Sequence, residues 1–181
     1  MKTMEIEIPD GKKAEWINGV LTLVDDTPKD IKERIKTFED ACGELGNEHP
    51  LVKSYEKYVN TASWEEADVM AYLKLRIITA ALNEGWEPTF DKDERRYYPW
   101  FYLYTQKEYD ELDEDEKKEC RVVGRSSNNS DANGVLVYAL AYYASSDSYS
   151  YYGSRLAFKT RELAEYCSKQ FIDEWADFLF A

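Results

Sequence analysis

The side chains best equipped for recognition chemistry lie in residues 126–153, SSNNSDANGVLVYALAYYASSDSYSYYG. Twenty of these 28 positions are Ser, Asn, Asp, Tyr or Gly and none is Lys, Arg or Glu, whereas the rest of the chain is dense in Lys and Glu, so the chemistry changes abruptly here. Tyr supplies large, stiff, amphipathic contact area, and Ser, Asn and Gly supply adaptable hydrogen bonds; the mixture is that of binding loops. It selects Asn128, Asn129, Asp131 and Asn133 in one loop, and Asp147, Tyr149, Tyr151 and Tyr152 in a second, as binding residues. Gly153 follows the tyrosines and can adopt a turn conformation closed to other residues. Such side chains, when exposed, match a protein or glycan surface, where a few aromatic anchors carry most of the energy.

Residue types used in catalysis are present without the patterns that catalysis needs. His49 is the single imidazole, and it stands before Pro50 at a helix start, as a cap or turn residue does. Cys42, Cys120 and Cys167 are odd in number and widely spaced, with no CxxC. Cys42 and Cys167 fall in helical patterns, which favours buried thiols over a disulfide framework. No G-x-S-x-G, Walker loop, G-x-G-x-x-G or H-E-x-x-H occurs. The acids of 110–116 are adjacent on a turn, whereas a glycosidase needs two carboxyls facing each other across a cleft. The same run lacks the glycine and register of a calcium loop and reads as a solvated face. Neither a cofactor nor a metal site is expected.

Charge narrows the partners. The net charge of −13 repels phosphate backbones and anionic membranes. The one spot where a single strand of nucleic acid is arguable is Arg95-Arg96 beside the aromatic run 97–104, and that run reads as core. There is no apolar leader after the start and no run of about 18 apolar residues. The expected location is a cytoplasm, or a particle assembled there.

The elements that must position the loops follow from local signals. Met4, Ile6 and Ile8 alternate, and Asn18-Gly19 separates two apolar runs, so the N-terminus predicts a β-hairpin or small meander. Thr27-Pro28 opens a helix with the stripe Ile31, Ile35, Phe38 and Cys42, ended by Gly43 or Gly46. His49-Pro50 starts a shorter one. Ser63-Trp64-Glu65-Glu66 is a capping box for a helix that ends near Gly85 and is apolar on two faces, including Leu73 and Ile77, so it is central to the core. A strand near 100–104 and two short acidic turns, opened by Thr105-x-x-Glu108 and Asp113-x-x-Glu116, come next. Strands are predicted at 120–124, 135–143 and 155–159. Thr160 caps a last helix with the stripe Leu163, Cys167, Phe171, Trp175, Phe178 and Leu179.

Three stretches are shared with known sequences: 71–78 with 81–86, Tyr97-Tyr98-Pro99-Trp100-Phe101, and 153–159 with 162–166 and 169–171. Together they resemble an uncharacterised group of small acidic proteins from gut Bacteroidetes and their phages and mobile elements. The resemblance implies a phage or mobile-element context and no activity. A second likeness covers 126–159, where a polar Ser/Asn/Tyr/Asp loop, a strand, a second such loop and Gly-Ser-Arg-Leu-Ala-Phe are similar to the variable region of C-type-lectin-like diversified receptor-binding proteins.

The resulting expectation is an α+β fold. It has an N-terminal β-hairpin or meander, and a central buried helix and a C-terminal helix packed on a small, mostly antiparallel sheet. Residues 1–62 form an N-terminal part and 63–181 the main part. The expected function is that of a non-enzymatic binding or assembly protein for a protein or glycan partner, compatible with a homo-oligomer. The alternatives are an enzyme on a polymer or nucleotide using Asp91, Asp93 and Glu94, and an acidic inhibitor or nucleic-acid mimic.

Overall fold

Asn18 and Gly19 both adopt positive φ, 51° and 81°, and close the hairpin between β1 (Lys12–Ile17) and β2 (Val20–Asp25). A turn left-handed at both residues matches the right-handed twist of the strands. It pairs Ile17 with Val20 and Lys12 with Asp25. Of the further strand expected at the start, residues 6–9 form no strand, and Met4 lies outside the described residues. Pairing puts Ala14, Trp16, Leu21 and Leu23 on one face. Trp16 there is 72% exposed. These features belong to a computed structural model that describes residues 6–26, 28–61, 66–89, 91, 93–104, 106–118, 120–122, 135–137, 141–145 and 154–180.

The helix expected to start at Thr27-Pro28 is divided into α1 (Ile31–Arg34) and α2 (Phe38–Leu45); Thr27 itself lies outside the described residues. Asp30 caps α1 by accepting the Lys32 N–H at 2.9 Å. Asp40 accepts the N–H groups of Lys36 and Thr37 at 2.9 Å each, and the Thr37 hydroxyl accepts the Asp40 N–H at 3.1 Å. That reciprocal box restarts the helix. The Ile35 and Lys36 carbonyls at the break accept from the Tyr166 hydroxyl and the Gln170 amide. Gly46, at φ 82°, ends α2. At the start of α3 (Pro50–Val59), His49 Nδ1 accepts the Leu51 N–H at 3.2 Å, so the lone imidazole is a cap, as its place before Pro50 predicts.

The central helix is α4 (Ala67–Leu82), with Glu66 at its N-cap; Ser63, Trp64 and Glu65 of the expected box lie outside the described residues. It packs against α2 and α3, and against α7 (Arg161–Gln170) and α8 (Ile172–Phe180). Leu75, Ile77, Ile78 and Leu82 are fully buried. Leu73, expected in the core stripe, is half-buried. Side chains from before and after residue 62 enter one core cluster, from Ile31 and Val52 to Phe171 and Trp175. Thr160 caps α7, as expected, by accepting the Leu163 N–H at 3.3 Å. The predicted last helix breaks at Phe171. The Phe171 N–H still reaches the Cys167 carbonyl at 3.0 Å, and its carbonyl accepts the Trp175 N–H at 3.1 Å, so Leu163, Cys167, Phe171 and Trp175 all remain buried.

The sheets are antiparallel. β3 (Arg95–Pro99) pairs with β7 (Ala141–Ser145), and α7 packs on both. β4 (Tyr102–Tyr104), β5 (Cys120–Val122) and β6 (Val135–Val137) form a second sheet in the order β4-β6-β5. The acidic turns are α5 (Gln106–Glu111) and α6 (Glu114–Lys118), and Asp113 caps α6 by accepting the Asp115 and Glu116 N–H groups. The strand predicted near 100–104 is β4, and β3, on the other side of Trp100-Phe101, lies where a loop was expected. The strand predicted over 135–143 is two, in different sheets. Pro99 has no N–H to continue the ladder with β7, so pairing on that side ends at Ala141. The fold is α+β.

The predicted strand 155–159 is instead a 3-10 turn, Ser154–Leu156, followed by one bridge. Phe158 exchanges both backbone bonds with Tyr97, at 2.8 and 3.1 Å. On the other edge the partner is a side chain: the buried Asn83 amide donates to the Ala157 carbonyl at 2.8 Å and accepts the Lys159 N–H at 3.1 Å. One amide therefore supplies the donor and acceptor that a neighbouring strand would supply.

Candidate functional site

The residues selected for binding, Asn128, Asn129, Asp131, Asn133, Asp147, Tyr149, Tyr151 and Tyr152, all lie outside the described residues. Their anchors are described. Val122 pairs with Val135 in the last described rung between the antiparallel neighbours β5 and β6, and residues 123–134 join the two in sequence. The second segment leaves β7 at Ser145, paired with Arg95, and re-enters at Ser154, where the 3-10 turn starts. Residues 144 and 145, expected in that loop, belong to β7. Backbone pairing holds these roots, and pairing places no demand on the loop side chains.

At the second root the surface is concave. A cleft of about 260 Å³ is lined by Arg76, Thr79, Asn83 and Trp86 from the end of α4, and by Ser154 and Arg155. α4 ends here because Glu84 and Gly85 take positive φ, 50° and 82°, and turn the chain so that Trp86 returns onto Tyr98 and Ala157. Glu84 is held by two cations: Lys159 at 2.9 Å and Arg34 at 3.0 Å. These bonds, Lys159 first, hold its carboxyl below the usual carboxylate range. Arg34 also grips Glu44 with two nitrogens, at 2.9 and 3.2 Å. The turn that shapes the cleft is thereby tied to α1 and α2. Arg76 stands 6.0 Å from the Tyr72 ring centroid. Neither Arg76 nor Arg155 has a carboxylate partner among the described residues. Thr79 is 2% exposed, and its hydroxyl has no hydrogen-bond partner among the described residues.

Other residues with catalytic potential are occupied structurally. Glu94 accepts the Thr89 N–H with both oxygens, at 2.9 and 3.1 Å, and Asp91 accepts the Asp93 N–H at 2.8 Å, so these acids shape their own loop. The Arg95-Arg96 doublet alternates across β3: Arg95 is exposed and Arg96 is 2% exposed, so one of the two guanidiniums faces solvent. In the aromatic run, Tyr98 and Phe101 are buried and Trp100 is exposed. Burial pushes the Cys167 thiol up to about 12, and Cys42 is raised by the same cause. The side chain of Cys120 is not described. Asp110, Glu111, Asp113 and Glu114 are exposed. Among the described residues no group of three or more His, Cys, Asp or Glu is placed to hold a metal, and no helix is long and apolar enough to cross a membrane.

Sequence reasoning missed the cleft, although a faint signal exists. No Asp or Glu stands three or four residues from Arg76 or Arg155, in a chain with 36 acids. Comparison with protein families, curated proteins and solved structures gives no match for this chain.

Proposed function

We propose that the chain is a non-enzymatic binding or assembly protein that presents residues 126–133 and 146–153 to a protein or glycan partner. The observation that carries this reading is the rooting of both segments. The first joins β5 and β6 in sequence beyond the Val122–Val135 rung, and the second leaves β7 and rejoins the chain at a turn packed on α4. A rigid frame beneath loops rich in Tyr, Asn and Ser is how binding loops are carried. A phage or mobile-element origin, implied by the resemblance alone, agrees with a role in attachment or assembly.

The test is replacement of Tyr149, Tyr151 and Tyr152 together by Ala. Binding to a glycan array and to identified host surface proteins is compared with that of the parent chain. Binding should be lost, while stability shifts by no more than about 1 kcal/mol. A triple variant that unfolds, or one that keeps every contact of the parent, removes the reading.

A further inference from the structure

The cleft beside the second loop root has its own chemistry. Arg76 and Arg155 line it without ion pairs among the described residues, in a chain whose acids outnumber its bases by 13. A guanidinium left unpaired in such a chain has its donors open to an incoming anion, and two of them suit the oxygens of a phosphate or carboxylate. Trp86 lines the same space, with its other contacts on Tyr98 and Ala157, so a planar ring can stack on it without moving the core. Ser154 adds a hydroxyl at the rim. Thr79 lines the cleft too, with its hydroxyl shielded from solvent and unpartnered among the described residues, and a buried polar group in that state is costly. Glu87 also lines the cleft and pairs with neither arginine. It is an acceptor for sugar hydroxyls or a ring amine. Asn83 is not available to a ligand, since its amide is spent on Ala157 and Lys159.

The geometry points to a site for a small phosphorylated ring compound of the nucleoside monophosphate class. The phosphate sits between Arg76 and Arg155, the ring lies on Trp86, and Glu87 accepts from the sugar or ring. A volume of about 260 Å³ is on the scale of one such unit.

Isothermal titration of the full chain with adenosine 5′-monophosphate, adenosine, inorganic phosphate and indole-3-acetate tests the proposal. The monophosphate should bind saturably, and the other three should each bind weaker by about tenfold or more, since each lacks at least one recognised part. Arg155→Gln, at an exposed position, should weaken the monophosphate by about tenfold, as loss of a charge-assisted hydrogen bond does, with an unchanged melting curve. Arg76→Gln should do the same, and Arg161→Gln, outside the cleft, should not. Absence of saturable monophosphate binding overturns the site. Binding that survives both Arg76→Gln and Arg155→Gln overturns its placement. Inorganic phosphate or indole-3-acetate binding as tightly as the monophosphate overturns the ligand class.

Discussion

Asn83 does the work of a strand with one side chain. It sits just past the end of α4, is buried, and makes two hydrogen bonds to the backbone of Ala157 and Lys159. Removing it leaves a buried carbonyl and a part-buried N–H without partners, each costing about 1–3 kcal/mol. Asn83→Ala should therefore lower the unfolding free energy by about 2–4 kcal/mol in urea denaturation. Asn83→Asp should also be destabilising, because a carboxylate oxygen would face the Ala157 carbonyl. If Asn83→Asp matches the parent, the amide is not the missing edge partner. Neighbouring Glu84 holds a left-handed φ that side chains other than Gly rarely adopt, and its two cation partners keep it there.

The elements differ in how much of the core they carry. α4, α7 and α8 share the cluster around Leu75, Ile77, Phe171 and Trp175, where the Phe101 and Trp175 ring centroids lie 5.5 Å apart. Ile77→Ala or Trp175→Ala should cost about 2–5 kcal/mol through lost contacts and the cavity left behind. Leu73→Ala should cost clearly less, since Leu73 is half-buried. The β1–β2 hairpin shows the opposite balance. Trp16 and Val20 are 72% and 64% exposed, and an isolated two-stranded hairpin is marginal in water. Trp16→Ala should stay within about 0.5 kcal/mol of the parent by chemical denaturation, as surface changes do. A large loss there would mean that the hairpin is part of the core.

At the scale of the whole molecule, the titrating groups predict a stability plateau with two shoulders. The carboxyls of Glu84 and Asp40 are lowered, the first by Lys159 and Arg34, the second by the Lys36 and Thr37 N–H groups. A lowered carboxyl means that the folded chain binds fewer protons than the unfolded one. Its contribution is present above the ordinary values of 4.5 and 3.8 and is lost as pH falls below them and through the lower values of the folded chain. Cys167 and Tyr166 are raised by burial to about 12, from 9.0 and 10.0. Here the folded chain binds more protons, so stability is full below pH 9.0 and declines from there toward about 12. Urea midpoints measured against pH should show both shoulders. Glu84→Gln should flatten the acid shoulder and Cys167→Ala the alkaline one; unchanged slopes would place the titrations elsewhere.

Several elements were legible because their causes are local. Asn18-Gly19, His49-Pro50, Asp113-x-x-Glu116 and Thr160 each act on backbone groups within a few residues, and each stands where its motif predicts. The stripe from Leu163 to Trp175 was readable for the same reason. The sequence alone also marks the loop composition of 126–153, and the structure describes the strands that root those loops. The interruption at Ile35 and Lys36 was not legible, because the groups that donate to those broken carbonyls lie 131 and 134 residues away. The Asn83 edge spans 74 and 76 residues, and the division of 135–143 between two sheets depends on β3 and β4 lying on different sides of Trp100-Phe101. Arg76, Trp86 and Arg155 come together only because that edge and the Glu84 turn bring segment 154–159 onto the end of α4. Local sequence determines which backbone groups a residue can satisfy nearby. Only the tertiary structure decides which distant group meets the ones that remain.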